Sequence, residues 1–301
     1  MILKSHSLLH LLPIVFLASG LAIGQQAVDG KGKAALRIEV QDQQGVRIGS
    51  PEATSTSQSN TVSLDINRAY QSGDRILFTG PKEMALRVDH SMQECMIFAP
   101  NPISLAYELP HGRAEHETGS AYAPESFSGD SHQVTLRALT EQERHGYRNL
   151  ALNPCDQLKS EPAIFPHATS SSVARNLYDF AARNAIDGIS RNGHHGVWPY
   201  QSWGPELVPD AWWMVDFGRL VTVDKVRLML RADLPHDSYW KHADVEFSDG
   251  SRMTIQLAAT ADFQEFTFPH RKTAWLRLTH LVSDDPSKWC ALIELEAWGR
   301  E

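Results

Sequence analysis

The feature that most constrains the fold is a repeated pattern of short segments in which apolar and polar residues alternate. RILFTG (75–80), HQVTLRAL (132–139) and ADVEFSDG (243–250) are typical of it. Alternation of this kind predicts β-strands that bury one face. Only residues 173–186 favour a helical turn or two, and strands do not alternate with helices as they do in parallel α/β proteins. The sequence therefore predicts an all-β chain.

The predicted strands fall into two β-sandwich domains. Residues 34–140 are expected to form a small sandwich, and residues 141–162, which are polar and contain prolines, a connector. Many short strands at roughly ten-residue spacing follow in residues 163–301, and this pattern is typical of a jelly roll. All eight tryptophans of the chain lie in the second domain, so the two domains differ sharply in composition.

The N-terminus carries the pattern of an export signal. Lys4 precedes an apolar run (residues 8–21), and small residues follow at the positions of a cleavage site. Residues 1–24 are therefore predicted to be a signal peptide cut after Gly24, with a flexible leader over residues 25–33. The mature protein is expected to be secreted or periplasmic.

The net charge, the lack of a long apolar stretch and the cysteine content exclude or disfavour several kinds of partner and metal site. The formal net charge of −8 disfavours a nucleic-acid partner, because that role needs a basic surface. No stretch after the signal reaches the ~18–20 apolar residues of a membrane-spanning helix, so no membrane insertion is expected. Three widely spaced cysteines, Cys95, Cys155 and Cys290, exclude a cysteine-rich zinc site and leave open one disulfide or three buried thiols.

Local patterns in the second domain indicate individual elements. Apolar and polar residues alternate in WWMVDFG (212–218), so one of the two alternating sets is expected to face the core. Gly218 and Arg219 are expected to form the turn that follows. Asp249 and Gly250 are a favoured type I′ pair, which predicts a tight hairpin.

Five segments of the C-terminal half, taken in this order, resemble the discoidin or coagulation factor 5/8 type C family, which contains galactose-binding-like carbohydrate-binding modules. They are NLALN (149–153), ARNAIDG (182–188), WWMVDFGRLVTVDKVRLML (212–230), VEFSDGS (245–251) and ALIELEAWG (291–299). The resemblance covers the C-terminal half of the chain. It implies a jelly roll whose ligand site lies on loops at one end of the sandwich.

The resemblance also implies a structural calcium ion. Members of the family commonly bind one with the A-x-D-G loop and a glutamate of the last strand, which correspond here to Asp187 and to Glu296 or Glu294. Asn192 is expected to add an oxygen. Calcium takes six to eight hard oxygen ligands, which carboxylates and loop carbonyls supply. An Asx turn at Asp187 with solvated glutamates is the structural alternative.

Two loops, residues 192–203 and 231–240, combine aromatic and polar side chains as carbohydrate binding requires. An aromatic ring stacks on the apolar face of a sugar, while charged and amide side chains hydrogen-bond its hydroxyls. The predicted partner is a glycan or polysaccharide, and packing of the tryptophans in the core is the alternative. The expected binding residues are His194, Trp198, Tyr200, Trp203, Arg231, His236, Asp237 and Trp240.

The same loops leave other functions open. If the protein is an enzyme, His236, Asp237 and His195 are the candidate acid and base groups of a glycoside hydrolase or polysaccharide lyase. A transition-metal site is disfavoured, because the adjacent His194 and His195 point in opposite directions in an extended chain. A membrane-adhesive module is disfavoured as well, since the loops are polar.

Overall fold

The computed structural model describes residues 35–48, 53–54, 60–101, 103–114, 116–159, 162–193 and 196–301. The predicted signal peptide, the leader, His194 and His195 lie outside these residues. Strands dominate the described ranges, so the prediction of an all-β chain is confirmed. No helix in these ranges is long and apolar enough to cross a membrane.

Two four-stranded antiparallel sheets form the N-terminal sandwich. The strands are β1 (Arg37–Gln41), β2 (Ala53–Thr54), β3 (Thr61–Ile66), β4 (Arg75–Gly80), β5 (Glu83–Arg87), β6 (Cys95–Phe98), β7 (Ile103–Glu108) and β8 (His132–Ala138). One sheet has the order β2-β1-β4-β7 and the other β3-β8-β5-β6. Their inner faces share one core, to which Ile38, Phe78, Leu86 and Leu136 belong. The period of two in the sequence explains this burial, because successive side chains of a strand point to opposite faces.

The predicted connector packs against both domains. It begins with a short helix, α1 (Glu141–His145), which the pattern of apolar residues did not indicate. Thr140 caps this helix, and its hydroxyl accepts from the backbone N–H of Glu143 while the Glu143 side chain accepts from the backbone N–H of Thr140. Leu150 lies in the C-terminal core and Cys155 in the N-terminal core, so this segment holds the two domains in contact.

One seven-stranded antiparallel sheet forms most of the C-terminal domain, in the order β13-β12-β14-β11-β15-β9 with β10 paired to β11. Its strands are β9 (Arg148–Asn149), β10 (His167–Ser170), β11 (Trp213–Leu230), β12 (Trp240–Phe247), β13 (Arg252–Gln256), β14 (Gln264–Ser283) and β15 (Leu292–Arg300). Register shifts interrupt the long strands β11 and β14. Both halves of β11 bury residues in a single core, Phe217 from the first half and Leu228 from the second. The sheet therefore curls around that core to form the second sandwich.

The turn predicted at Gly218 and Arg219 is wrong, because β11 continues through both residues. Gly218 has a φ of +68° and lies where the register shifts, so it forms a bulge. A Cβ at this position would lie 2.5 Å from the ring of Phe165. The glycine therefore allows both the bulge and the close approach of that ring.

The hairpin predicted at Asp249 and Gly250 is confirmed, but its turn type is not. Phe247 and Ser251 are joined by a backbone hydrogen bond of 2.9 Å, and only Gly250 of the central pair has a positive φ, +80°. A type I′ turn requires positive φ at both central residues. The loop is instead a type I turn followed by a left-handed glycine.

Candidate functional site

A cleft of about 520 Å³ lies between the two domains. The segment predicted to hold a helical turn or two forms one side of it, as three 3-10 turns at Ala174–Asn176, Tyr178–Phe180 and Ala182–Ala185. The loop that the sequence singled out, residues 192–203, continues this side. The cleft is lined by Arg175, Leu177, Asp179, Phe180, Gly196, Trp198, Tyr200 and Gln201 from the C-terminal domain and by Arg113, Ser120, Tyr122 and Pro124 from the N-terminal domain.

Buried hydrogen bonds hold the two sides of the cleft together. The guanidinium of Arg183 donates to the carbonyl of Ala121 at 2.7 Å and lies 4.1 Å from the centroid of the Tyr122 ring. The side-chain amide of Gln201 donates to the carbonyl of Ser120 at 3.0 Å. Since backbone carbonyls need partners when buried, these contacts fix the relative position of the two domains.

Arg113 fixes the conformation of the loop that forms the N-terminal side of the cleft. Its guanidinium donates to the backbone carbonyls of residues 119, 122, 123, 124 and 126, at distances between 2.5 and 3.2 Å. One side chain thus organises the whole loop, which has little regular secondary structure of its own. This loop, residues 118–126, is called the N-terminal wall below.

Trp198 and Tyr200 face the cleft from the predicted ligand loop. The ring of Trp198 is half-buried, which leaves part of it open to the cleft. The Tyr200 hydroxyl donates to the buried carboxylate of Asp179 at 2.6 Å. Burial raises the pKa of Tyr200 above its usual range, and the hydrogen bond and negative charge of Asp179 raise it further. Tyr200 therefore stays protonated and fixed in orientation.

The prediction that Trp203 and Trp240 stack on a sugar is wrong. Trp203 and Trp240 are 0% and 4% exposed and pack against each other with ring centroids 5.7 Å apart. The backbone N–H and carbonyl of Trp203 also form hydrogen bonds with the carbonyl and N–H of Leu292, at 2.8 Å each. A ring without an exposed face cannot stack on a sugar, so both belong to the core.

The polar residues predicted in the second loop form a buried ion pair. Arg231 and Asp237 are both buried, and the guanidinium Nε lies 3.0 Å from the carboxylate. The exposed His236 contacts the other oxygen of Asp237 through Nδ1 at 2.7 Å. These three residues line a cavity of about 70 Å³, well below the ~300 Å³ of common ligand pockets. The cavity adjoins the cleft, with which it shares Arg175 and Phe180.

The carboxylate beside Asp187 is that of Glu294 rather than Glu296. Glu294 is buried and accepts from the backbone N–H of Gly188 at 3.2 Å. Glu296 instead accepts from Arg227 and from the Trp298 indole, both at 2.7 Å. The choice of Glu296 as a ligand is therefore wrong, because its carboxylate is paired with Arg227 and Trp298 rather than placed beside the loop of Asp187.

Asp187 and Glu294 are two buried acids with little positive charge near them. Asp187 forms the Asx turn of the structural alternative, since it accepts from the backbone N–H of Ile189 at 2.9 Å, but Glu294 is buried rather than solvated. Burial raises the pKa of Asp187 to about 6, and burial together with the charge of Asp187 raises the pKa of Glu294 well above its usual range. The nearest cation to Asp187 is Arg183, at 4.0 Å. Asn192 donates its amide to the carbonyl of Arg231 at 2.6 Å, and its side-chain oxygen is buried without a partner among the described residues. The two carboxylates supply hard oxygens of the kind that a divalent cation takes as ligands.

A second cluster of titratable side chains lies in the N-terminal domain and was not predicted. Ligand atoms of Asp89, His90 and His132 lie within 4.8 Å of one another. Asp89 accepts from His132 at 2.8 Å and from the backbone and hydroxyl of Ser91 at 3.0 and 2.7 Å. Tyr70 stacks on His132 with centroids 4.0 Å apart. These bonds already occupy both oxygens of Asp89, so the cluster is explained as a buried hydrogen-bonded turn.

The sequence did not indicate Asp179 or Ser120. Asp179 lies in a stretch predicted only as a helical turn, and its proximity to Tyr200 follows from the packing of the 3-10 turns. The wall comes from a domain with no tryptophan and no recognisable motif. Its approach to the C-terminal loops depends on contacts between residues far apart in the chain.

These features define an all-β protein with two sandwiches and a ligand-sized cleft between them. Residues 167–295 match the family model of the F5/8 type C domain. The match lies in the part of the chain whose segments resemble that family, so the predicted resemblance is confirmed for residues 167–295. No curated protein sequence matches the chain.

Several solved structures are similar to about half of this chain. Chitosan-binding module 1 of a chitosanase/glucanase from Paenibacillus sp. IK-5 is 26% identical, with 50% of this chain and 98% of that one covered and a TM-score of 0.36. The lectin domain of lectinolysin, solved with Lewis B antigen, is 20% identical over 51% and 96%, with a TM-score of 0.38. A fucose-binding module of Streptococcus pneumoniae is 17% identical over 51% and 98%, with a TM-score of 0.37.

Proposed function

We propose that this protein binds a glycan in the cleft between its domains. The observation that carries the proposal is the half-exposed Trp198 beside the hydrogen-bonded pair of Tyr200 and Asp179, on one side of a cleft of about 520 Å³. The match of residues 167–295 to the F5/8 type C family model supports a binding role for the loops at this end of the domain.

The chemistry of these side chains suits a sugar. A pyranose has an apolar C–H face that stacks on an indole ring, and hydroxyls that both donate and accept hydrogen bonds. The Tyr200 hydroxyl donates to Asp179, so its oxygen is left to accept from a sugar hydroxyl. A cleft of this volume lies within the ~300–1,000 Å³ typical of small-ligand sites.

Retention of the full-length protein on polysaccharides tests the proposal. Electrophoresis through gels that contain arabinogalactan, xylan, pectin or chitosan would identify a retarding polysaccharide. Trp198→Ala is expected to weaken binding to it by about tenfold or more, since central aromatic residues dominate binding energy. Trp212→Ala, which changes another half-buried tryptophan of the same domain, is the matched control. Equal retention of wild type, Trp198→Ala and Asp179→Asn would contradict the proposal.

We also propose a structural calcium ion held by Asp187 and Glu294. The support is the pair of buried carboxylates whose pKa values are raised by burial, with Glu294 bonded to the backbone N–H of Gly188, the residue after Asp187. When bound, calcium supplies positive charge that neutralises the pair. Calcium at a hundredfold excess over its dissociation constant is expected to raise the free energy of unfolding by about 2.7 kcal/mol.

The control for the calcium site is the neighbouring glutamate of the same strand. Glu294→Gln is expected to abolish the calcium-dependent rise in melting temperature, whereas Glu296→Gln keeps it. Melting is measured with calcium and with a chelator. A melting temperature of the wild type that does not respond to calcium would rule the site out.

Export completes the proposal. Residues 1–24 are proposed to direct the chain out of the cytoplasm, on the strength of the charged start, the apolar run and the small residues before Gln25. N-terminal sequencing of the protein recovered from its producing cells is expected to begin at Gln25. A mature protein that still begins at Met1 would contradict this.

A further inference from the structure

One buried hydroxyl of the N-terminal wall has no hydrogen-bond partner. Ser120 lines the cleft and is 8% exposed, and its Oγ lies within hydrogen-bond distance of no described residue. A buried polar group without a partner destabilises the folded protein. Such an atom in the lining of a cleft therefore marks a position where a ligand hydroxyl is expected.

The surrounding bonds keep Ser120 in this position. Its backbone N–H donates to Glu117 at 3.0 Å, and its carbonyl accepts from Gln201 at 3.0 Å. The next carbonyl, that of Ala121, is held by Arg183 at 2.7 Å. The backbone of Ser120 is thus fixed by both domains. Its side chain keeps one free torsion, and rotation towards the cleft breaks no hydrogen bond, since none is made.

We propose that the N-terminal domain forms the second half of the glycan site, with Ser120 as a specificity-determining residue. This rests on the proposed function, because the ligand is the same glycan. Trp198 and Tyr200 hold the sugar from the C-terminal side, and the Ser120 hydroxyl hydrogen-bonds a sugar hydroxyl from the opposite side. The site therefore selects a sugar unit that has a free hydroxyl opposite Ser120. A unit in which this hydroxyl is absent or blocked binds more weakly, because the buried Ser120 hydroxyl is then left without a hydrogen-bond partner.

Arg113 is a positioning residue in this arrangement. Its hydrogen bonds to the carbonyls of Gly119 and Tyr122, at 2.5 and 2.8 Å, flank Ser120 on both sides. The N-terminal wall therefore presents the hydroxyl from a fixed backbone. Because the backbone is already fixed, binding restricts only the one side-chain torsion of Ser120, and this small loss of conformational freedom favours affinity.

Ser120→Ala in the full-length chain tests the inference, with the retarding polysaccharide of the gel panel as the probe. The expected result is binding weakened roughly threefold to tenfold, the effect of one lost hydrogen bond. The melting temperature is expected to stay equal or to rise, because the substitution removes a hydroxyl that has no partner. Ser63→Ala, on an exposed face of β3 in the same domain, is the matched control and is expected to change neither quantity.

The outcomes separate this inference from the proposed function. Weaker binding of both Trp198→Ala and Ser120→Ala, with Ser63→Ala unchanged, supports a site made by both domains. Weaker binding of Trp198→Ala alone overturns the role of Ser120 and leaves glycan binding by the C-terminal domain intact. Full binding by both variants overturns both proposals.

Discussion

Two loops of similar composition differ in where their side chains point: one faces the cleft and the other faces the core. Residues 192–203 and residues 231–240 each contain aromatic rings, polar side chains and at least one histidine. The first loop presents Trp198 and Tyr200 to the cleft. The second turns Arg231, Asp237 and Trp240 inward, so that all three are buried. Composition alone therefore does not distinguish a ligand loop from a loop that stabilises the domain.

The difference arises where each loop joins the sheet. Trp240 is the first residue of β12 and takes the inward position of that strand, and Arg231 directly follows the buried end of β11. Trp203 ends the first loop in a bridge to Leu292 of β15 and is buried for the same reason. Trp198 lies in the middle of its loop, away from any strand, and remains half-exposed.

The largest expected effect on stability distinguishes the two tryptophans of the first loop. Trp203→Ala is expected to lower the free energy of unfolding by ~3–5 kcal/mol, because it leaves a large cavity in the core. Trp198→Ala is expected to lower it by less than about 1 kcal/mol while it weakens glycan binding. Urea denaturation of both variants measures this. Equal losses of stability would show that Trp198 packs as a core residue.

The second prediction concerns the ion pair of the second loop. Asp237→Ala leaves the buried Arg231 without its counter-charge and is expected to destabilise the protein by about 3 kcal/mol. The double variant Arg231→Met with Asp237→Leu is expected to recover most of that loss, since no buried charge remains. His236→Ala, at an exposed side chain, is expected to change stability by at most about 1 kcal/mol. A stable Asp237→Ala variant that has lost glycan binding would restore this loop as a ligand loop.

The smallest effect is on the reactivity of Cys290, which lines the cavity behind the second loop. Burial raises the pKa of this thiol, so a smaller fraction is thiolate at pH 8 than for an exposed cysteine. Alkylation of native protein at pH 8 is therefore expected to be roughly tenfold slower at Cys290 than at a free cysteine and to speed up at higher pH. Mass spectrometry of the labelled peptide measures the rate, and Asp237→Ala is expected to increase it. Rapid labelling of the wild type would show that the second loop is open.

The features that were predicted correctly depend on neighbours in the chain. Alternation around Trp213 identified strand β11, and the Asp249-Gly250 pair identified the hairpin between β12 and β13. Local patterns did not decide whether Glu294 or Glu296 lies beside Asp187, because alternation places both on the same face of β15. Glu294 faces the loop of Asp187, whereas Glu296 meets Arg227 of the neighbouring strand.

The sequence by itself determined the all-β class, the two groups of strands and the resemblance of the second group to the F5/8 type C family, because periodicity and short motifs act over a few residues. Only the tertiary structure decided which aromatic rings face the cleft and which acids lie together. Those outcomes depend on pairs such as Asp179 with Tyr200, Ser120 with Gln201 and Trp203 with Leu292. These partners are brought together by the packing of separate strands and domains, which no local pattern specifies.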